Sequence, residues 1–202
     1  MTIECISVKN EGYVYCKSSF YSAQDCLSSN TSYTFSVGIN KLIDEIDSGV
    51  WAVSYLLSMY KHRFNDFILF EEPKVSVNDS IVSLNDISEY SCYMDKLYPL
   101  FSTQDSVRKL VSRGLEKAKL NYSSDDIREL FHIDNERFER PITGVGNEIF
   151  RAMSAVGYAY GKKVYCFPWL SKKRFNGYHG HIVDLLDILE KLKKVVILPL
   201  GK

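Results

Sequence analysis

The sequence predicts an α/β fold in three parts: an N-terminal antiparallel β subdomain, a parallel-sheet α/β core, and a helical subdomain inserted at about 98–145. Three observations predict it. Residues 1 to 37 alternate polar and apolar residues and are rich in Tyr, Phe, Val, Ser and Thr, the pattern of half-buried strands. From about Tyr98 to Ala159 the texture turns helical. The C-terminal stretch then runs as apolar strand, amphipathic helix, apolar strand, the unit of a parallel sheet. With 202 residues, 46% of them hydrophobic and 25% charged, the chain can fill one sizeable core, so residues 1–202 are expected to form a single domain.

Each element has its own signal. "ECISV", "GYVYCKSSFYS" and "SYTFSV" alternate as strands. "INKLIDEI" is a strand entering a turn at Asp47-Ser48-Gly49, and "WAVSYLLSMYKHRF" carries apolar residues at helical spacing. "DFILFEEPKVSVNDSIVSL" returns to strand composition, with Pro73 and Asn78-Asp79 as turn signals. "STQDSVRKLVSRGLEKAKL" is an amphipathic helix for which Ser102 or Thr103 would be the N-cap. "SSDDIRELFHI" opens at Ser123 or Ser124, with Asp125 and Asp126 placed to suit the helix dipole. "NEIFRAMSAVGYAYGKK" is a further helix, ended by Gly161. "VYCFPWL" is a buried strand, "SKKRFNGYHGH" a basic surface loop, "GHIVDLLDILEKLKK" an amphipathic helix with a basic end, and "VVILPLG" a last buried strand.

Charge and composition exclude several functions. Lys plus Arg and Asp plus Glu both number 25, so the net charge is zero and nothing global favours nucleic acid or an anionic membrane. No apolar run is long enough to span a bilayer, and "MTIECISVKN" lacks the layout of a signal peptide, so a cytoplasmic protein is expected without direct membrane insertion. The cysteines, Cys5, Cys16, Cys26, Cys92 and Cys166, form no CxxC pair and are expected to be free thiols in a reducing compartment. His179 and His181 stand two apart around Gly180, a weak metal pair, and no metal site is expected.

The order of elements carries the most information. An antiparallel start, a strand–turn–helix, further strands, a helical insert, then helix, strand, helix and strand resemble the nucleotide-binding domain of ATP-binding cassette (ABC) proteins, from about Tyr33 to Gly201. "ITGVGNEIFRAMSAVGYAYGKKVYCF" is similar to that family's signature turn, helix and following strand. Gly146 and Asn147 stand at the two signature glycines, Glu148 at the glutamine or glutamate, and Arg151 at the arginine that follows. "LFSTQDSVRKLV" resembles the opening of the family's helical subdomain.

The departures decide what the resemblance implies. A working phosphate loop reads GxxxxGK[ST]: backbone N–H groups cradle phosphate, the lysine neutralises it and the hydroxyl holds magnesium. Aligned on the helix, Gly49 remains, with Ser48 before it in the relic loop, Trp51 replaces the second glycine, Ala52 replaces the lysine, and Ser54 can supply a hydroxyl. Where the family places two carboxylates after its next core strand, this chain has Pro168 and Trp169, and no histidine follows "VVILPLGK". Asp95 is the loose counterpart of the family's glutamine, and Tyr13 or Tyr15 of its adenine-stacking aromatic.

Phosphoryl transfer depends on such charges, and losing them together removes orders of magnitude in rate. The resemblance therefore implies a catalytically inactive pseudo-ATPase, without cofactor, acting as a binding or regulatory subunit. It would pair as a homodimer, or as a heterodimer with an ABC-type subunit, with a membrane transporter as a further partner. Two alternatives stay open. One is an ABC transporter ATPase with atypical motifs that still binds ATP and magnesium. The other is an enzyme of unrelated chemistry built on the Tyr/His stretch at 178–181 and Cys166, which would need those residues in one pocket.

Overall fold

In the computed structural model, which describes residues 2–18, 23–95, 98–101 and 104–202, the alternating N-terminal stretch becomes β1 (Cys5–Asn10), β2 (Val14–Ser18), β3 (Ala23–Leu27) and β4 (Thr31–Ser36). Residues 19–22, the last four of the expected second strand, lie outside the described residues. β5 (Gly38–Ile43) leads through a turn into helix α1 (Val50–Met59), the expected strand–turn–helix. β6 (Phe67–Leu69), β7 (Lys74–Val77) and β8 (Ser80–Val82) complete two antiparallel sheets, ordered β4-β1-β7-β8 and β3-β2-β6. Alternation sets their faces: Ile6 lies opposite Phe35 and Val77, all buried, while Ser7 opposite Thr34 and Ser76 points away. The Asn78-Asp79 signal is a two-residue hairpin turn in which both residues have positive φ, 48° and 63°, as the twist of the flanking strands favours.

Two elements beyond the expected strand stretch, which ends at Leu84, had no counterpart in the sequence reading. Helix α2 (Leu84–Tyr90) starts on a capping box in which Ser83 and Asp86 bond each other's backbone, and β9 (Ser91–Tyr93) follows directly. The helical part then comprises α3 (Val107–Ala118), α4 (Ser124–Leu130), α5 (Asn135–Phe138) and, beyond 3-10 turns at 142–144 and 146–148, α6 (Ile149–Ala159). The cap of α3 is Ser106; the expected caps Ser102 and Thr103 lie outside the described residues. Ser123 caps α4, with Asp126 closing the box. α6 ends as expected at Gly161, whose φ is 75°. There Lys162 N–H bonds the Gly157 carbonyl at 2.9 Å and Gly161 N–H bonds Tyr158 at 2.8 Å, a Schellman ending.

The parallel sheet has the order β5-β11-β10-β9, with β10 (Val164–Cys166) and β11 (Val195–Leu200) between the outer strands. Between β10 and β11 the basic stretch expected to be a loop is instead helical. α7 (Lys172–Gly177) is capped by Ser171, and α8 (His179–Lys191) begins two residues later. A six-residue helix with no buried side chain lacks the apolar period that would announce it.

Val164, Tyr165 and Cys166 are all buried, as strands covered on both faces must be. Cys166 faces Ser54 and Ser58 of α1. On the opposite face a Cβ at Gly157 of α6 would stand 3.0 Å from the Cys92 sulfur and 3.4 Å from Tyr165, so glycine lets that helix settle on the sheet. Every residue of α1 is buried, which marks it as the central helix, between the parallel sheet and the β3-β2-β6 sheet.

Candidate functional site

In an open parallel sheet, ligands bind beyond the carboxyl ends of the strands. Four segments meet there: the turn at 44–49 after β5, the segment starting at Met94 after β9, Phe167-Pro168-Trp169 after β10, and Gly201 after β11.

The turn into α1 has the backbone of an anion nest. Gly49 adopts φ 89°, ψ −10°, and no side chain of the turn caps the helix. A Cβ on Gly49 would stand 3.0 Å from the Cys26 carbonyl oxygen, so β3 lies directly against the turn. The nest is filled by Asp25 of β3. Its Oδ1 accepts the Gly49 N–H at 2.9 Å, and its Oδ2 accepts the Ala52 N–H at 2.8 Å. Oδ1 also accepts the Cys26 N–H at 2.9 Å. Asp25 is 4% exposed. Burial pushes its carboxyl above the ordinary range, while the three N–H bonds pull it down. The two amides that a phosphate would use at the head of α1 thus already hold an anion from the same chain.

The other loop positions are committed as well. Trp51 is buried, stacks on Tyr55 with ring centroids 4.9 Å apart, and donates its indole N–H to the Tyr93 hydroxyl at 2.8 Å. Ala52 is fully buried. The Ser54 hydroxyl donates to the Phe167 carbonyl at 2.7 Å, tying α1 to the end of β10. Ser48 donates its hydroxyl to the Glu45 carbonyl, 2.6 Å away, within the turn.

Pro168 is buried. Trp169 donates its indole N–H to the Asp44 carbonyl at 3.1 Å and packs on Gly201, where a Cβ would come within 2.8 Å of its ring. Asp44 is paired with Lys202 at 2.7 Å, which holds its carboxyl below the ordinary range. Asp95 follows β9 and is 7% exposed. Tyr13 and Tyr15, each 46% exposed, stack with centroids 6.4 Å apart on the outer face of the β3-β2-β6 sheet, beside Phe70.

The signature-like turn is packed against α5 and α8. Gly146 has φ 62° and nothing within 4 Å of where a Cβ would stand. Asn147 bonds Arg137 through its oxygen and His181 Nε2 through its amide, the latter at 2.7 Å. Glu148 accepts the Asp134 N–H at 3.1 Å and pairs with Arg137 at 3.6 Å. Arg151 bonds Asp184 of α8 at 2.6 Å, and Asp184 also meets His132 at 3.1 Å.

His181 is therefore occupied by Asn147, and His179 stacks edge-on against Phe175. Cys166 lies among the serines of α1, where burial drives its thiol far above the ordinary range. The structure does not join Cys166 to the histidines in one bonded cluster. Among the described residues no three His, Cys, Asp or Glu side chains are grouped to hold a metal ion.

Sequence reasoning passed over Asp25. Its signal was present: Asp25 stands two residues before buried Leu27 and so shares the inward face of its strand.

No protein-family model matches the sequence, and no curated protein matches it. Solved structures do. The fold is similar to the ATP-bound structure of a bacterial Atm1-family ABC exporter, at 10% identity and TM-score 0.59, over 99% of this chain and 34% of that one. It is similar also to a Pyrococcus furiosus protein assigned as the ATP-binding protein of an ABC transporter. That match has 10% identity and TM-score 0.61, over 98% of this chain and 90% of that one. The chain thus spans about a third of the exporter's length and nearly all of the second protein. At this identity the likeness is one of fold: the chain has an ABC-ATPase-like α/β fold.

Proposed function

We propose that this chain is a catalytically inactive ABC-ATPase-like protein, a pseudo-ATPase that acts by binding. Its phosphate loop, Ser48, Gly49, Trp51, Ala52 and Ser54, is a relic, Pro168 and Trp169 replace the second acidic motif, and residues 98–145 form its helical subdomain. The observation that carries the reading is the Asp25 carboxylate seated on the Gly49 and Ala52 amides. A triphosphate would have to displace a like-charged group, without a lysine to offset the repulsion. The buried indole of Trp51 and the committed hydroxyl of Ser54 support the same reading.

The protein works as a binding or regulatory subunit through an ABC-type dimer, with a second copy or with an ABC-type subunit, and through it with a membrane transporter on the cytoplasmic side. Among the described residues no helix is long and apolar enough to cross a membrane. Gly146 and Asn147 are exposed, and this turn would face a partner's phosphate loop.

Equilibrium dialysis with ATP and magnesium tests the first part, and sedimentation with and without a competent ABC subunit tests the second. The expected result is no saturable nucleotide binding by the isolated chain. Turnover that is abolished by Ser54→Ala would instead establish the genuine ATPase.

A further inference from the structure

A cleft of about 340 Å³ opens where the end of α1 and α2 meet α3 and the end of α6, away from the carboxyl ends of the parallel strands. Lys61, His62, Glu89, Tyr98, Lys117 and Lys162 line it, with Tyr160 beside Lys117. Nothing in the pseudo-ATPase reading uses it.

The backbone builds this cleft. Gly114 lets α3 cross α6 closely: a Cβ there would stand 2.6 Å from the Tyr160 ring and 2.9 Å from the Ala159 carbonyl carbon. One turn later Lys117 extends over the Tyr160 ring, 5.8 Å from its centroid. The Schellman ending of α6 turns the chain at Gly161 and delivers Lys162 to the floor of the cleft.

Lys162 is 8% exposed. Its ammonium has three N–H donors and gives one to the Glu89 carbonyl at 2.6 Å, while lying 5.8 Å from the Tyr98 centroid. Lys61 is neutralised by its ion pair with Glu89. Lys117 and Lys162 have no carboxylate partner among the described residues, so the cleft carries about two uncompensated positive charges. Burial first, with Lys117 and Lys61 adding to it, lowers the pKa of Lys162, and burial does the same to His62. Such a site is costly without an anion and gains when one enters.

We propose that this cleft binds a small phosphate monoester, its dianion held by Lys117 and Lys162 and its apolar or aromatic body against Leu100 and Tyr160, both half-buried in its lining. The charge of a phosphate monoester near neutral pH matches the two ammonium groups that have no carboxylate partner among the described residues, and the volume is that of a small-ligand site. The walls are what separate such a ligand from free phosphate, because Leu100 and the open part of Tyr160 offer apolar surface that inorganic phosphate cannot use.

Calorimetric titration of the full chain with phenyl phosphate and with inorganic phosphate tests this, with amide NMR shifts locating the site. Phenyl phosphate is expected to bind more tightly than inorganic phosphate and to shift the amides of Lys117, Ala118 and Lys162. Lys162→Gln and Lys117→Gln are each expected to weaken it about tenfold or more. Lys117 is on the surface, so its variant reports on the site even if the buried Lys162→Gln chain folds poorly. The proposal is overturned by no binding up to about 10 mM, by equal affinity for the two probes, by an unchanged affinity in Lys117→Gln, or by shifts confined to residues 49–52.

Discussion

Replacing Asp25 by Asn changes one oxygen into an amide nitrogen in a place where three backbone N–H groups converge. The Asn carbonyl can take the role of Oδ1 and keep the bonds from Gly49 and Cys26. Its NH2 then faces the Ala52 N–H, donor against donor, where Oδ2 accepted at 2.8 Å. One buried amide at the head of α1 loses its partner, which costs about 1–3 kcal/mol. In a chain of this length each kcal/mol moves Tm by about 2–4 °C, so the variant is expected to melt roughly 2–12 °C lower. Asp25→Ala would strand all three donors and cost about 3–6 kcal/mol, a large share of a typical domain's stability, so Asn is the cleaner probe. Urea unfolding measures the total, and amide hydrogen exchange locates it: Ala52 should lose protection while Leu56, deep in α1, keeps it. An Asn variant within about 0.5 kcal/mol of the parent, with Ala52 still protected, would refute the seating of the carboxylate in the nest.

Other substitutions probe the same architecture. Ala52→Lys, which puts a cation into the proposed relic loop, is expected to give no ATP turnover in a phosphate-release assay and to lose about 2 kcal/mol or more by overpacking, because Ala52 is fully buried. Ser54→Ala leaves the buried Phe167 carbonyl without its 2.7 Å partner and should cost about 1–3 kcal/mol in urea unfolding. Lys194, 8% exposed and over the Tyr158 ring, has its pKa lowered to about 8, first by burial and then by Lys163. A lysine pKa that is lower folded than unfolded means that the charged amine opposes folding below pH 8 and that this penalty fades as pH rises from about 8 towards 10.5. Lys194→Met is therefore expected to stabilise the chain by about 1–3 kcal/mol at pH 7, and the gain should shrink by pH 10 in paired denaturation curves.

The fold was legible where the pattern is strong. Ile6 and Val8 alternate with Ser7 and Lys9, and "VVIL" is apolar throughout, so one face or two faces of burial could be read directly. It failed where elements are short. β9 spans only Ser91–Tyr93, and α7 is a polar helix of six residues. The capping box of Ser83 and Asp86 was visible but stood directly after a strand-like "SIV", which masked the start of α2. For the candidate site, the turn at Ser48 and Gly49 ahead of an apolar helix was legible, because small residues before an apolar run form a local pattern. It did not reveal Asp25 as the group in the nest, because that contact joins β3 to a turn 24 residues away through backbone amides that have no sequence signature. It also gave no sign of the lysine cleft, whose members come from the ends of four helices and from the segment at 98–100.

That Asp25 and the turn at Gly49 belong to one chain has a consequence for competition. A dissolved anion leaves a site when the solution is diluted, but a tethered one does not. Its effective concentration is fixed by the folded chain between β3 and α1, which carries β4 and β5, in the millimolar range or above for flexible tethers and higher for a rigid one. Vacating the nest then takes a movement of β3 itself, an edge strand held by β2 alone in its sheet.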